Sequence, residues 1–253
     1  MLSPTQRFSN RVENYLRFRP GYPTEAIQYL QAECGLNSDA IIADVGSGTG
    51  KLTEQLLPRA KRVFAVEPNP EMRAAAEKLL GHHSNFTSIS APAEDTGLPA
   101  QSIDLIVAGQ AFHWFDQKRA KAEFTRILKP GGWVALLWND RQTDTTPFLI
   151  AYEELLREFG TDYERVNHRR ITSEPLREFF GSTPKLQTFP YGQEFDFDGL
   201  KGRLFSSSYA PAEGEPGCDA MLQRLREIFN THQQNGRVEF LYTTQLFCGP
   251  LSD

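Results

Sequence analysis

The chain has 253 residues, a formal net charge of −5 and a pI of about 5.6, which argue against a broad phosphate-binding face and therefore against a nucleic-acid partner. Its 40% hydrophobic and 23% charged residues are typical of a soluble globular protein, and no apolar run approaches the roughly 18 residues of a membrane span. This length fits one large α/β domain.

The first residues of the chain lack the apolar core of a secretory signal. The three cysteines, Cys34, Cys218 and Cys248, are odd in number and far apart. We therefore expect a cytoplasmic location and no metal site built from these cysteines.

The segment before the first strand combines aromatic and basic residues with two prolines, Pro20 and Pro23. Because proline ends a helix, residues 10–24 are predicted to form a short helix and then an extended stretch, with Thr24 capping a second helix. This segment is either a solvated arm that packs on the domain or a flap that closes over a bound small molecule. The sequence leaves both interpretations open.

A strand, a glycine loop and a helix are predicted in residues 40–57. The apolar run that begins at Ile41 is typical of a strand buried on both faces, and it continues directly into Gly46, Gly48 and Gly50. After the glycines, leucines four residues apart indicate a helix. The loop between them needs bare backbone, as a loop that approaches a ligand closely does.

The same strand-and-helix pattern then repeats along the chain. Apolar runs begin near Ile41, Val63, Phe86, Asp104 and Trp133, at spacings close to one βα unit. Between them, one helix is predicted from Asn69 to Gly81 and another from Asp116 to about Pro130. Five parallel strands with crossover helices follow, and the ligand site of such a sheet lies at the carboxyl ends of its strands.

Beyond residue 138 this rhythm breaks. A helix with an apolar face from Phe148 to Phe159 and the basic run 165–170 indicate a lid. Alternating aromatics in residues 186–197 and 238–242 predict two more strands, with a helix between them that ends at Gly236. The predicted parts are an N-terminal arm (1–39), a cofactor-binding core (40–139), a lid insertion (140–184), and C-terminal strands and a helix (185–253).

Two ligand classes fit the glycine loop, a dinucleotide and S-adenosylmethionine. The dinucleotide fingerprint requires a glycine where this chain has Lys51. Asp44 precedes the loop, where it can meet a cationic group or brace the loop, and a pyrophosphate would gain nothing from it. Glu67, at the end of the second strand, suits the ribose hydroxyls of either ligand.

Five motifs follow one another in this order: DVGSGTGK, VEPN, APAED, AGQAFHWF and LKPGGW. Their order and spacing over residues 36–139 resemble those of the class I S-adenosylmethionine-dependent methyltransferases, in the group called methyltransferase type 11. FRPGYP and QAFHWF are similar to a subgroup that includes the trans-aconitate methyltransferases. The resemblance implies a single methyltransferase domain with a doubly wound, Rossmann-like, seven-stranded and mostly parallel sheet, an antiparallel C-terminal strand, an N-terminal helical arm and a helical lid.

The resemblance also implies S-adenosylmethionine as the cofactor and a role for each matching residue. The glycine loop lies beside the methionine part, Glu67 holds the ribose, and Glu94 meets the adenine edge, with Asp95 as its rival. The backbone carbonyl of Gln110 approaches the ammonium group. The full predicted cofactor-binding set is Tyr22, Asp44, Gly46, Ser47, Gly48, Gly50, Glu67, Pro68, Met72, Ala93, Glu94 and Gln110.

The expected reaction is methyl transfer to a small molecule, through a carboxylate or another oxygen. His113 is the predicted catalytic residue, because an imidazole suits proton transfer near neutrality, with a histidine of the pocket wall as the alternative. The predicted substrate-binding residues are Arg19, Trp114 and Arg141, and a polycarboxylate would also involve Arg17 and Arg203. A non-catalytic protein that binds the same cofactor is the alternative function, and a monomer or a homodimer is expected.

Overall fold

A computed structural model describes residues 12–161, 163, 173–207, 209–211 and 214–252. Its helices are α1 (Val12–Phe18), α2 (Thr24–Glu33), α3 (Lys51–Leu56), α4 (Pro70–Leu80), α5 (Gln117–Ile127), α6 (Pro147–Phe159), α7 (Ser173–Phe180), α8 (Phe197–Phe205) and α9 (Cys218–His232). Its strands are β1 (Ile41–Val45), β2 (Arg62–Val66), β3 (Phe86–Ile89), β4 (Ile103–Gly109), β5 (Leu128–Arg141), β6 (Lys185–Phe195) and β7 (Val238–Gly249).

The strands form one sheet in the order β3-β2-β1-β4-β5-β7-β6. β1 to β5 are parallel, and β7 is antiparallel to both of its neighbours. The strand order changes direction between β1 and β4, which is where such sheets open a ligand crevice at the carboxyl ends of their strands. The predicted seven-stranded, mostly parallel sheet with an antiparallel C-terminal strand is confirmed.

β5 begins earlier and ends later than the sequence predicts. α5 stops at Ile127, and β5 starts at Leu128, ahead of the prolyl-glycyl turn that was expected to separate helix from strand. The register with β4 shifts here, because Ile103 is opposite Leu128 whereas Leu105 is opposite Trp133. The residues between them form a bulge. At its other end β5 continues to Arg141, so the segment assigned to the lid from residue 140 starts inside the sheet.

Helix boundaries follow local chemistry in most places. The side chain of Asn69 accepts a hydrogen bond of 2.8 Å from the backbone of Met72, as expected for the cap of α4. Thr24 does not cap α2. Pro23 occupies the cap position, and no side chain makes a capping hydrogen bond there. α9 ends at His232, before Gly236, which lies in the short turn that leads to β7.

The helix predicted to form part of a lid belongs to a second hydrophobic core. α6 packs with α8, α9 and the first half of β7 in one cluster of buried residues, which includes Leu149, Leu204, Leu225 and Phe240. The rings of Tyr152 and Phe240 meet edge to face, with their centroids 4.8 Å apart. The basic run 165–170 lies outside the described residues. The division of the chain into arm, core, lid and C-terminal part stays a prediction.

No helix among the described residues is long and apolar enough to cross a membrane.

Candidate functional site

A cavity of about 690 Å³ opens at the carboxyl ends of β1, β2, β4 and β5. This volume is in the range of small-molecule and cofactor pockets. The arm from Tyr15 to Tyr22 forms one wall, and residues of α8 and β7 form another. Of the sixteen residues predicted for the site, Gly50 alone does not line this cavity. It is the cap residue that precedes α3, and a side chain there would collide with Leu80, so Gly50 allows α3 to pack on α4.

The glycine loop presents bare backbone to the cavity. The amides of Gly46 and Ser47 donate to the carbonyl oxygen of Val66, at 2.8 and 3.1 Å, and this fixes the loop on the end of β2. Gly48 has a positive φ of 56°, and a Cβ placed on it would have no atom within 4 Å. The open space beside this glycine is where a ligand can approach the main chain closely.

Asp44 lies at the bottom of the cavity and is 1% exposed. Its Oδ2 accepts a hydrogen bond of 2.6 Å from Thr53 Oγ1, and its Oδ1 has no hydrogen-bond partner among the described residues. Burial raises the pKa of Asp44 to about 7, against the lowering effect of the Thr53 hydrogen bond, and the negative charge of Glu67 raises it further. A buried carboxylate oxygen without a partner suits a cationic group such as the ammonium of the predicted cofactor.

Glu67 joins the end of β2 to the glycine loop. Its Oε2 accepts the amide of Gly48 and its Oε1 accepts the amide of Asn69, both at 2.8 Å. Burial raises the pKa of Glu67, and these two hydrogen bonds oppose that shift. A carboxylate oxygen has two lone pairs, so each oxygen keeps an acceptor site for a hydroxyl group. The position of Glu67 therefore fits the predicted contact with a ribose diol.

The adenine end of the predicted site lies beside α4. Pro68, Met72, Ala93 and Glu94 all line the cavity there. Glu94 Oε1 accepts the backbone amide of Asp116 at 2.7 Å, which holds the Glu94 side chain against the start of α5. Asp95 is exposed and does not line the cavity. The geometry favours Glu94 over Asp95 for the adenine edge.

Gln110 directly follows β4 and has an uncommon backbone conformation. Its φ is +57°, a region that residues other than glycine rarely adopt. Its amide donates to the carbonyl oxygen of Leu137 at 2.9 Å, and its side chain donates to that of Asn139 at 3.3 Å. Such a conformation persists when the surrounding contacts determine it, and it is frequent at ligand sites.

His113 and Trp114 line the cavity on a short 3-10 turn after β4. The indole Nε1 of Trp138 lies 3.5 Å from His113 Nδ1 and can only donate a hydrogen bond. In this contact Nδ1 of His113 is the acceptor. The role of His113 as a catalytic base stays a prediction.

Three arginines reach the part of the cavity that faces α8 and β7: Arg19, Arg141 and Arg203. Arg141 forms a salt bridge with the buried Glu153 and donates to the hydroxyl of Tyr163 at 3.0 Å. Its charge is therefore neutralised inside the protein. Arg17 is exposed and does not line the cavity.

Arg19 and Arg203 contact only neutral groups within the described residues. Arg19 donates to the carbonyl oxygen of Ser206 at 3.0 Å and has a buried Nε without a partner. Arg203 is 4% exposed and donates to the hydroxyl groups of Tyr242 and Ser207, both at 3.2 Å. Burial lowers the pKa of Arg19, and the positive charge of Arg203 lowers it further.

Several residues that line the cavity were absent from the predicted set. They are Tyr15, Asn139, Tyr163, Tyr209 and Tyr242. Alternation along β7 gives a sequence signal for Tyr242, because a buried residue recurs at every second position of that strand. Tyr209 lies in irregular chain after α8, where no periodicity marks it. Among the described residues, no group of three or more His, Cys, Asp or Glu side chains is placed to hold a metal ion.

Comparison with known proteins shows what this chain is similar to. A family model described as a methyltransferase domain matches residues 43–136. The chain is 32% identical over 225 residues to an uncharacterized methyltransferase of Mycobacterium tuberculosis, which covers 89% of this chain and 86% of that protein. It is 27% identical over 244 residues to an uncharacterized methyltransferase-like protein of Schizosaccharomyces pombe, over 95% of this chain and 93% of that one.

A similar fold is also present among solved structures. A protein of Anaeromyxobacter dehalogenans, provisionally described as a type II methyltransferase, superposes with a TM-score of 0.67. Its identity to this chain is 24%, and the superposition covers 93% of this chain and all of that one. At this level of identity the likeness establishes the fold. The match at 32% identity to the Mycobacterium tuberculosis protein establishes the family.

Proposed function

This chain belongs to the methyltransferase family, and we propose that it transfers the methyl group of S-adenosylmethionine to a small molecule that presents an anionic oxygen group, such as a carboxylate. The cofactor is the methyl donor of the family. We infer the nature of the acceptor from the site. The inference depends on two guanidinium groups, those of Arg19 and Arg203, in the part of the cavity that faces α8 and β7. We call this part the acceptor chamber.

Two positive charges without an acidic partner among the described residues, one buried (Arg203) and one partly buried (Arg19), favour an anionic ligand. Taking a charge out of water is unfavourable unless an opposite charge compensates for it. No salt bridge joins Arg19 or Arg203 to a carboxylate within the described part of the chain, and both line the cavity. Planar guanidinium groups match carboxylate geometry in bidentate pairs. An anionic acceptor would supply the charge that the chamber lacks.

The residues at the carboxyl ends of β1 and β2 support cofactor binding. Asp44, with its open oxygen, would receive the ammonium group, and Glu67 would receive the ribose hydroxyls. The bare backbone at Gly48 leaves room for the methionine part of the cofactor between these two carboxylates. When bound, S-adenosylmethionine supplies a methyl group already activated by its sulfonium, so the protein's task is alignment and exclusion of water.

The acceptor class also decides whether a base is needed. A carboxylate has no proton to lose before it accepts a methyl group, whereas a hydroxyl or amine does. Because the indole of Trp138 donates to Nδ1 of His113, that nitrogen is already engaged as an acceptor and is poorly placed to remove a proton. A carboxylate acceptor, which needs no base, is consistent with this arrangement.

The experiment uses S-adenosylmethionine that carries a radioactive methyl group and separate sets of mono-, di- and tricarboxylic acids. We expect label to enter at least one acid and to be released as volatile methanol by alkali, since a methyl ester is cleaved by base. Label that resists alkali, or calorimetry in which no acid binds in the presence of S-adenosylhomocysteine, would refute a carboxylate acceptor.

The arginine pair is tested with Arg203→Gln and a matched control, Arg237→Gln, on the exposed turn before β7. Loss of a buried charged hydrogen bond weakens binding by about 1.5–3 kcal/mol, or roughly 10- to 100-fold. We expect that increase in the KM for the acid with Arg203→Gln and unchanged kinetics with Arg237→Gln. Equal KM values in both variants would contradict the assignment.

A further inference from the structure

Lys51 stands where the chain leaves the glycine loop, and it contacts the N-terminal arm. It is the first residue of α3, and its Nζ donates a hydrogen bond of 2.8 Å to the carbonyl oxygen of Leu16 in α1. The last carbonyls of a helix have no partner within the helix, and a lysine ammonium group is well suited to them. Because α1 has only seven residues, it needs such tertiary contacts to persist.

The opposite side of α1 packs on the helix that carries Arg203. A Cβ placed on Gly202 of α8 would lie 2.0 Å from the ring of Phe18, so this ring rests directly on the α8 backbone. The next residue, Arg19, donates to the carbonyl oxygen of Ser206 at the end of α8. α1 therefore lies between α8 and the helix that follows the glycine loop.

Other hydrogen bonds hold the segment that follows α1. Asn139 donates to the carbonyl oxygen of Gly21 at 2.7 Å, and Gln55 donates to that of Tyr22 at 2.9 Å. These bonds fix the extended stretch beside β5 and α3. Lys51 reaches one turn earlier, to the part of the arm that carries Tyr15 and Arg19 into the chamber.

We propose that Lys51 is a positioning residue, which couples the cofactor loop to the acceptor chamber by holding α1 so that Arg19 stays beside Arg203. The contribution of this coupling to acceptor affinity rests on the proposed function. The attachment of α1 by Lys51 is independent of the proposed function, because it depends only on the hydrogen bond between them. Since Lys51 follows the glycine loop directly and bonds to α1, a displacement of that loop would reach the arm through this side chain.

The attachment is tested by amide hydrogen exchange of residues 12–18 in the whole protein. Lys51→Met keeps the length of the side chain and removes the ammonium, and Lys51→Arg restores a cationic donor. We expect exchange in α1 to rise about tenfold in Lys51→Met, as for loss of one charged hydrogen bond, and to return toward wild type in Lys51→Arg. The control is Lys61→Met, an exposed lysine at the start of β2. Equal exchange in wild type and Lys51→Met would overturn the proposal.

The coupling is tested with citrate as an anionic probe, bound in the presence of S-adenosylhomocysteine. We expect citrate to bind about tenfold more weakly to Lys51→Met and to Arg19→Gln, and the double variant to be no weaker than Arg19→Gln alone. A purely structural role for Lys51 would make the two losses additive and would overturn the coupling. If wild-type protein binds no carboxylate, the anionic acceptor fails, and the exchange result by itself decides whether Lys51 positions α1.

Discussion

The hydroxyl of Thr53 donates a hydrogen bond of 2.6 Å to one oxygen of Asp44 and leaves the other oxygen without a partner among the described residues. The carboxylate is thereby held in one orientation, with its open oxygen available to a ligand. Its place is the end of β1, at the switch in strand order. We therefore expect cofactor binding to depend on pH.

S-adenosylhomocysteine is expected to bind less tightly as the pH falls below about 7. In the free protein the pKa of Asp44 is raised to about 7, chiefly by burial, so Asp44 is protonated in acid and charged above that pH. An ammonium group prefers the charged form, so affinity should fall about tenfold for each pH unit below the pKa and level off above it. Calorimetry at pH 6, 7 and 8 measures this.

Asp44→Asn provides the control for this pH dependence. Its affinity should be low and nearly constant across the same range. The same linkage acts on the free protein, because a raised pKa means that ionisation opposes folding as the pH rises from 4 to 7. Asp44→Asn should therefore melt at a higher temperature than wild type at pH 8 when no ligand is present. A pH dependence that persists in Asp44→Asn would assign it to another group.

Glu67→Ala is expected to weaken the binding of S-adenosylhomocysteine by about 100-fold. The substitution removes the predicted partner of the ribose and releases the amides of Gly48 and Asn69, and hydrogen bonds to a charged group contribute about 1.5–3 kcal/mol each. Glu71→Ala, an exposed carboxylate on α4, is the matched control. Unchanged cofactor affinity in Glu67→Ala would remove the ribose from this position.

His113→Ala should lower kcat and change the affinity for S-adenosylhomocysteine by less than about twofold, because its ring lines the cavity between the two halves of the site. If the acceptor is a carboxylate, kcat at saturating cofactor should also stay flat between pH 6 and 8. A rise of kcat with pH that disappears in His113→Ala would instead identify a base. Trp138→Phe, which frees Nδ1, should strengthen such a rise.

Gly202→Ala should lower the free energy of unfolding by about 1–3 kcal/mol, the usual effect of overpacking. The added methyl group would overlap the ring of Phe18, and α1 would have to move. Urea denaturation measures the change. Because Phe18→Ala removes the ring, adding Gly202→Ala to it should have almost no further effect, and equal losses in both backgrounds would show that the strain lies elsewhere.

The cofactor half of the site could be predicted from the sequence because its residues lie close to the ends of consecutive strands. Asp44, Glu67 and Glu94 each follow an apolar run, and parallel strands bring their carboxyl ends to one edge. Local patterns of this kind also gave the cap at Asn69. The start of β5 was wrong because a bulge places the prolyl-glycyl turn within the strand, and sequence periodicity does not register an offset between two paired strands.

The acceptor half depends on contacts between distant parts of the chain. Arg203 lies near Arg19 because Phe18 packs on Gly202, and no sequence signal marks that contact. The substrate-binding role of Arg141 stays a prediction. Nothing in the sequence indicated that Glu153 on α6 would form a salt bridge with Arg141. A charge that is available to a ligand can be recognised only when its partners in the fold are known.

The position of β7 inside the sheet affects the order in which the protein is completed during synthesis. β6 leaves the ribosome first, but its sheet neighbour among the described strands is β7, which follows 43 positions later in the chain. Until β7 emerges, β6 and the free side of β5 both expose unpaired backbone. β5 and β6 therefore each keep an open sheet edge until β7 joins them. A ribosome that stops before residue 238 would release a chain that lacks the wall that β7 adds to the cavity, and its open edges would make it a target for chaperones and proteases.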